Sequence, residues 1–241
     1  MPSSKSPSSS STPELIWLRP ERTGRGPRPA HSRASIAAAA VALADAEGLG
    51  AASMRRIAAE LGAGTMSLYN YVPKKEQLFD LMLDAVVGEY EFAEPSGQVR
   101  ADLRELAHQQ LAILRRHPWA VTVIITRPSL GPNGLRYTEH YLRVMTAVEL
   151  GTTAKMEAMA LLNGFVCQFA EYERGGASPG QDRAQAQREL VSYLTQAVTT
   201  GQYPYLAAAF AAGDAPADPE SVFDRSLSRI LTAMLTQPNP T

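Results

Sequence analysis

The side chains with the most chemistry to offer lie in residues 65–75: Thr65, Met66, Ser67, Tyr69, Asn70 and Tyr71, followed by Lys74 and Lys75. Hydroxyls, phenols and an amide of this size suit contacts to phosphate oxygens and to base edges in a DNA major groove. No acid falls in residues 65–71, where a carboxylate would repel phosphate. Lys74 and Lys75 stand where a helix is expected to begin, and its free N–H groups favour an anion there. Over residues 19–75 the basic side chains are Arg19, Arg22, Arg25, Arg28, Arg33, Arg55, Arg56, Lys74 and Lys75. The acids are Glu21, Asp45, Glu47 and Glu60, so the segment is positive within a chain of net charge −1. A pI near 6.4 is no obstacle, because a local basic stripe matters more than the total.

Other chemistry finds less support. The four histidines, His31, His108, His117 and His140, have no metal-ligand spacing, and no His-Glu pair of the zinc-protease kind occurs. The single cysteine, Cys167, lies in an apolar helical run without a local base and forms no internal disulfide. Gly48 and Gly50 follow a helix and not a strand, so they form no dinucleotide loop. No catalytic residue, metal or cofactor is expected, and a helical enzyme is the weaker alternative. No apolar run is long enough to span a bilayer, and no apolar stretch follows the Ser/Pro-rich start as it would in a signal peptide. The expectation is therefore no membrane partner and a reducing cytoplasm.

The elements that would hold these residues follow from caps and breakers. Ser32 is a plausible N-cap for a helix through Ile36, Ala39, Ala40, Leu43 and Ala44 that stops at Gly48 and Gly50. Ser53 opens a second short helix with Met54, Ile57, Ala58 and Leu61 on its inner face, and residues 62–64 (Gly-Ala-Gly) interrupt it. A third runs from Thr65 to about Tyr71, ahead of Pro73, and a fourth begins near Lys74 with Leu78, Met82 and Val86 on one stripe. Two short helices joined by a few residues containing Gly have the spacing of a helix-turn-helix. Beyond them, amphipathic helices are expected over residues 103–114, 133–149 and 153–174. The last of these is apolar on several sides, which is how a buried helix reads. Residues 121–125 are β-branched but lack a partner strand, so a short buried helix or extended piece is expected. Asp218, Pro219 and Glu220 read as N-cap, first-turn proline and first-turn acid of a final helix with Phe223, Leu227, Ile230, Leu231 and Met234 on one face. The expected fold class is all-α.

Residues 1–31 read as a disordered, basic arm, because the Ser/Pro-rich stretch at 2–13 cannot offset the entropy of ordering. Arg19, Arg22, Arg25 and Arg28 recur every third residue among prolines, the period of polyproline II. That would align four guanidiniums for a minor groove, or they belong to a solubilising tail. Residues 32–78 are assigned to a helix-turn-helix DNA-binding domain and residues 79–241 to an effector-binding and dimerisation domain.

The run Met54-Arg55-Arg56-Ile57-Ala58-Ala59-Glu60-Leu61-Gly62, then Met66-Ser67-Leu68-Tyr69, Lys75 and Leu78, resembles the DNA-binding domain of the TetR family of bacterial repressors. The resemblance spans roughly residues 36–83. It implies that Arg55, Thr65, Met66 and Tyr71 face base edges and that Ser53, Ser67, Tyr69 and Lys75 face phosphates. Lys74 would add a second phosphate contact, and Asn70 stands at a position where related proteins vary. The later part resembles a tetracycline-repressor type of core, including the corner Thr126-Arg127-Pro128.

These features imply a bacterial transcription regulator, most naturally a repressor, that binds a palindromic operator in double-stranded DNA as a homodimer. A small, largely apolar effector would release it. The expected effector residues are polar or aromatic groups set in apolar helices: His108, Gln109, Trp119, Arg127, Tyr141, Met145, Asn163 and Cys167, with Phe165 and Gln168 nearby. Gly164, Ala170 and the 223–234 stripe are candidates for a four-helix dimer interface or, alternatively, for the core of one chain. An architectural DNA binder without ligand control is the rival, although it would not need so large a helical domain.

Overall fold

The computed structural model describes residues 15–19, 31–175, 183–212 and 218–236. Among them the regular structure is helical throughout, in agreement with the all-α expectation. The chain forms two compact units, Met1–Phe92 with Arg116–His140, and Ala93–Arg115 with Tyr141–Thr241. Arg22, Arg25, Arg28 and the stretch at 2–13 lie outside the described residues.

In the first unit, α1 (Arg33–Glu47) starts at a capping box in which Ser32 Oγ accepts from the Ser35 N–H and Ser35 Oγ from the Ser32 N–H. It ends at Gly48, whose φ of 86° is open to glycine and strained for other residues. Helix α2 (Met54–Glu60) is capped by Ser53 Oγ, which accepts from the Arg56 N–H. Helices α3 (Thr65–Tyr69) and α4 (Lys75–Val87) follow. Ile36, Ala37 and Ala40 of α1 are buried, as are Leu78, Leu81 and Met82 of α4, and the two helices lie against each other. The β-branched stretch forms α6 (Ala120–Thr126), a short helix with Val121 and Val123 buried, packed on α4. Helix α7 (Pro132–Val144) begins in this unit. A 3₁₀ turn at Ile16–Leu18 also belongs to it, with Ile16 fully buried, inside the stretch expected to be a loose arm.

The second unit holds α5 (Val99–Arg116) up to Arg115, the end of α7, and α8 (Thr152–Glu173), α9 (Arg183–Thr199), α10 (Pro204–Ala211) and α11 (Pro219–Leu235). Asp218 Oδ2 accepts from the Ser221 N–H, as the cap reading of α11 expects. Phe223 of α11 is buried, with its ring centroid 5.1 Å from His108, 5.4 Å from Phe165 and 4.9 Å from Phe169. Ala170, Phe223, Leu227, Leu231 and Met234 are all core of this unit, so of the residues offered for a dimer face only Gly164 is exposed. Helix α8 is not buried all round: Leu161 is 62% and Tyr172 72% exposed on the side away from its core residues Leu162, Val166 and Phe169. Helices α9 and α10 pack on each other.

Candidate nucleic-acid interface and effector-unit residues

The turn between α2 and α3 is set by Gly62 at φ 62°. Its N–H donates to Ala59 O (3.2 Å) and the Ala63 N–H to Ala58 O (2.8 Å), the paired closure of a Schellman motif. Helix α3 then packs on α2 through a single fully buried side chain, Leu68. The residues around Leu68 are left facing outward: Met66 is 78% and Tyr69 42% exposed, Ser67 and Asn70 are exposed, and Thr65 and Tyr71 are half-buried. Arg55, the second residue of α2, is exposed, as are Lys74 and Lys75 at the start of α4. The Lys75 ammonium lies 5.3 Å from the Phe79 ring centroid, a cation–π contact that steadies a long side chain while leaving it exposed. All ten residues expected to touch DNA therefore belong to one helix-turn-helix and the helix start that follows it.

Not every basic residue of this unit is available to phosphate. Arg56 forms a two-pronged pair with Glu47 at 2.5 Å, tying α2 to α1. Arg33 donates to three backbone carbonyls, those of Ile16, Arg19 and Tyr71.

Acids of α4 hold the elements that follow it. Asp80 receives both arms of Arg127 at 2.6 and 3.0 Å. Asp84 accepts from the backbone N–H groups of Asn133 (2.9 Å) and Gly134 (3.1 Å) at the start of α7. Burial pushes the Asp84 carboxyl above its ordinary value, against the opposing effect of those hydrogen bonds. Beyond α4, Glu89 faces Nε2 of buried His117 at 2.8 Å, and Asp45 of α1 faces Nδ1 at 2.8 Å. Asp45 also accepts the Trp119 indole N–H at 2.7 Å, and Glu89 the Arg116 guanidinium. Burial works to raise the Glu89 pKa, but Arg116 and His117 together hold it below the ordinary carboxylate value.

The expected effector residues divide between the units. Trp119 and Arg127 lie in the first and are engaged by Asp45 and Asp80. His108, Gln109, Tyr141, Met145, Asn163 and Cys167 lie in the second. His108 Nε2 is 3.0 Å from Asp224 Oδ1, which also receives Arg104 at 2.7 Å. Gln109 donates to Glu105 on its own helix. Its neighbour Gln110, absent from the sequence expectation, is the buried amide: its Nε2 donates to Asn163 O (3.4 Å) and contacts Cys167 Sγ (3.8 Å). The signal was there, because position 110 continues the 103, 106, 107, 111, 114 stripe and position 109 does not. Two fully enclosed polar atoms of this unit, Gln110 Oε1 and Tyr141 Oη, find no hydrogen-bond partner among the described residues. Burial lifts the Tyr141 phenol to about 12 and the Cys167 thiol to about 11, so both are neutral at neutral pH. Met145 is fully buried.

Among the described residues no helix is long and apolar enough to cross a membrane. Residues 36–82 match the family model for bacterial regulatory proteins of the tetR family. Residues 93–237 match the model for the tetracyclin repressor-like C-terminal domain. The HTH-type transcriptional repressor DrrR1 of Streptomyces coeruleorubidus is 39% identical over 202 residues, 81% of this chain and 75% of the relative. An HTH-type transcriptional regulator of Saccharopolyspora erythraea is 32% identical over 232 residues, 96% of this chain and 95% of the relative. Among solved structures, Streptomyces coelicolor ActR in complex with actinorhodin aligns with a TM-score of 0.72 at 30% identity, over 85% of this chain and 97% of ActR.

Proposed function

The chain belongs to the TetR family of bacterial regulators, and from that premise we propose how it reads DNA and what releases it. It is a DNA-binding transcriptional regulator. Two copies would join on a palindromic operator, with residues 32–78 as the reading domain of each and residues 79–241 carrying the effector and dimer surfaces. The observation that supports this most is α3 itself: a five-residue helix held by Leu68, with Met66 and Tyr69 left in solvent. A short helix presenting a Met and a Tyr to solvent beside polar groups offers the side chains that contact base edges and thymine methyls in a major groove.

In this reading Arg55, Thr65, Met66 and Tyr71 contact base edges, and Ser67, Tyr69, Lys74 and Lys75 contact phosphates. Ser53 accepts from the Arg56 N–H as the α2 cap, which leaves its own O–H to donate to a phosphate. Asn70 lies beside them as a further polar contact.

The effector we infer is a neutral, largely apolar molecule with hydrogen-bonding groups. Gln110 Oε1 calls for a donor, and the neutral Tyr141 hydroxyl can donate to a carbonyl or hydroxyl oxygen. Asn163, Cys167 and Met145 supply surroundings of low charge, and His108 a polar margin. Its binding would lower operator affinity, and repression is the reading that the similarity to the repressor DrrR1 supports.

Selection of sites from a random duplex pool at two salt concentrations tests this. Recovery of one palindromic site with steep salt dependence is expected. Lys75→Ala should weaken operator and random duplex alike and flatten the salt slope by about one, whereas Tyr71→Ala should cost about 1–3 kcal/mol on the operator alone. Titrating the operator complex with actinorhodin, the ActR ligand, is the first test of release. A chain that selects no duplex above background would sink the reading.

A further inference from the structure

Resting on the DNA-reading function above, we propose that Arg33 and the segment 15–19 together form a positioning clip for the reading helix, an element of operator recognition that lies outside the helix-turn-helix. A single guanidinium carries it. Arg33 Nη1 donates to Ile16 O at 3.1 Å and to Arg19 O at 2.8 Å, while Nε donates to Tyr71 O at 3.4 Å.

Tyr71 O belongs to the turn that closes α3, where carbonyls have no helical partner. A five-residue helix carries too few internal hydrogen bonds to hold its own direction. Leu68 fixes one point of α3 on α2, and Arg33 fixes its far end, next to Asn70 and Tyr71. The other end of the clip is equally tied down. Leu18 and Arg19 N–H donate to Leu15 O and Ile16 O, closing the 3₁₀ turn, and Ile16 is fully buried. Trp17 lies against the corner before α7: a Cβ added to Gly131 would stand 2.7 Å from Trp17 Cζ2 and 2.2 Å from Asp84 Oδ1. The segment thus spans from the corner that Asp84 secures on α4 to the carbonyl that ends the reading helix, with Arg33 as the joint.

Arg33 is therefore a positioning residue and not a phosphate ligand, and this distinction can be measured. The test uses full-length wild type, Arg33→Met, Arg33→Lys and Trp17→Ala. Kd is measured for the selected operator and for a random duplex across a salt series, alongside the thermal midpoint of each protein. The clip predicts that Arg33→Met weakens operator binding at least roughly tenfold while random-duplex binding and the salt slope stay put. Lysine should recover only part of the loss, because a compact ammonium lacks the spread, planar donors by which Nε and Nη1 reach carbonyls on two elements at once. Trp17→Ala should follow in the same direction with a smaller effect.

Equal losses on both duplexes with a slope shallower by about one, restored by lysine, would make Arg33 a phosphate contact and overturn the clip. Unchanged operator affinity with a lowered midpoint would make the segment mere stabilisation and overturn it too. Should Arg33→Met not fold, wild type labelled with 5-fluorotryptophan decides: Trp17, one of two tryptophans, is assigned by Trp17→Phe. Its ¹⁹F resonance should move when operator binds, and a resonance indifferent to bound operator overturns the clip. Failure of wild type to select any duplex is a different result, because it removes the DNA-reading function on which the clip rests.

Discussion

Single residues in this chain divide into those that face outward to a partner and those whose charge is already committed. Arg33, Arg56 and Arg127 look alike in sequence to Arg55, yet each is held by carbonyls or carboxylates inside the first unit. A count of basic residues over 19–75 marks a positive segment, but burial and pairing decide which of them can meet phosphate. The same commitment gives a pH signature. Glu89 has a folded pKa below its unfolded value, so the stability it contributes is complete above the ordinary carboxylate range. It is lost as pH falls through the folded pKa, below that range, when the carboxylate facing His117 and Arg116 takes up a proton. Thermal melts of wild type and Glu89→Gln between neutral and acid pH should therefore converge as pH drops. A gap that persists unchanged at acid pH would show that the carboxylate charge contributes nothing.

At the scale of elements, what was legible in the sequence is what local chemistry fixes. Ser32, Gly48, Ser53, Gly62 and Asp218 mark caps and stops, and each element begins or ends beside them as expected. The helix-turn-helix needed nothing more remote than Gly62 and Leu68. Substituting Gly62 by Ala at φ 62° should cost roughly 1–2 kcal/mol through backbone strain, since an added Cβ there meets no neighbour. Leu68→Ala should cost about 2–5 kcal/mol and loosen α3 on α2. Denaturant melts and operator Kd check both. If Leu68→Ala left operator affinity untouched, α3 would not be the reading element. Helices α9 and α10 escaped the sequence reading for the opposite reason. No residue of α10 is buried, and α9 offers Leu190, Val191 and Tyr193 to solvent, so neither shows the core-facing stripe by which helices are recognised. Gln110 and not Gln109 is the amide that α5 buries, one position along, as its apolar stripe indicates. Ile16 stands in a short apolar patch, Leu15-Ile16-Trp17-Leu18, too brief to show a periodicity, and so falls within the stretch expected to be an arm.

At the scale of the whole molecule, the surface that the second unit leaves uncovered argues for a second copy. Ala170, Phe223, Leu227, Leu231 and Met234 are buried in the core of this unit, and of the 223–234 stripe Ile230 alone is half-buried. What remains on α8 is a face with Leu161 62% and Tyr172 72% exposed, and Gly164 between them where an added Cβ would meet nothing within 4 Å. Large apolar groups flanking an open helix backbone let a second helix approach closely and cover them. A palindromic operator requires that pairing, because each half-site offers one α3 too few contacts for useful affinity. Placing a charge at the centre of this face should weaken self-association by roughly 2 kcal/mol or more, because the carboxylate would be buried without a partner. Leu161→Glu is therefore expected to sediment as a monomer at concentrations where wild type is expected to sediment as a dimer. It should also bind the full operator no better than a half-site, with helical content unchanged by circular dichroism. A Leu161→Glu protein that remains dimeric would move the interface off α8, and the exposed apolar residues of α9 and α10 would be the next surface to mutate.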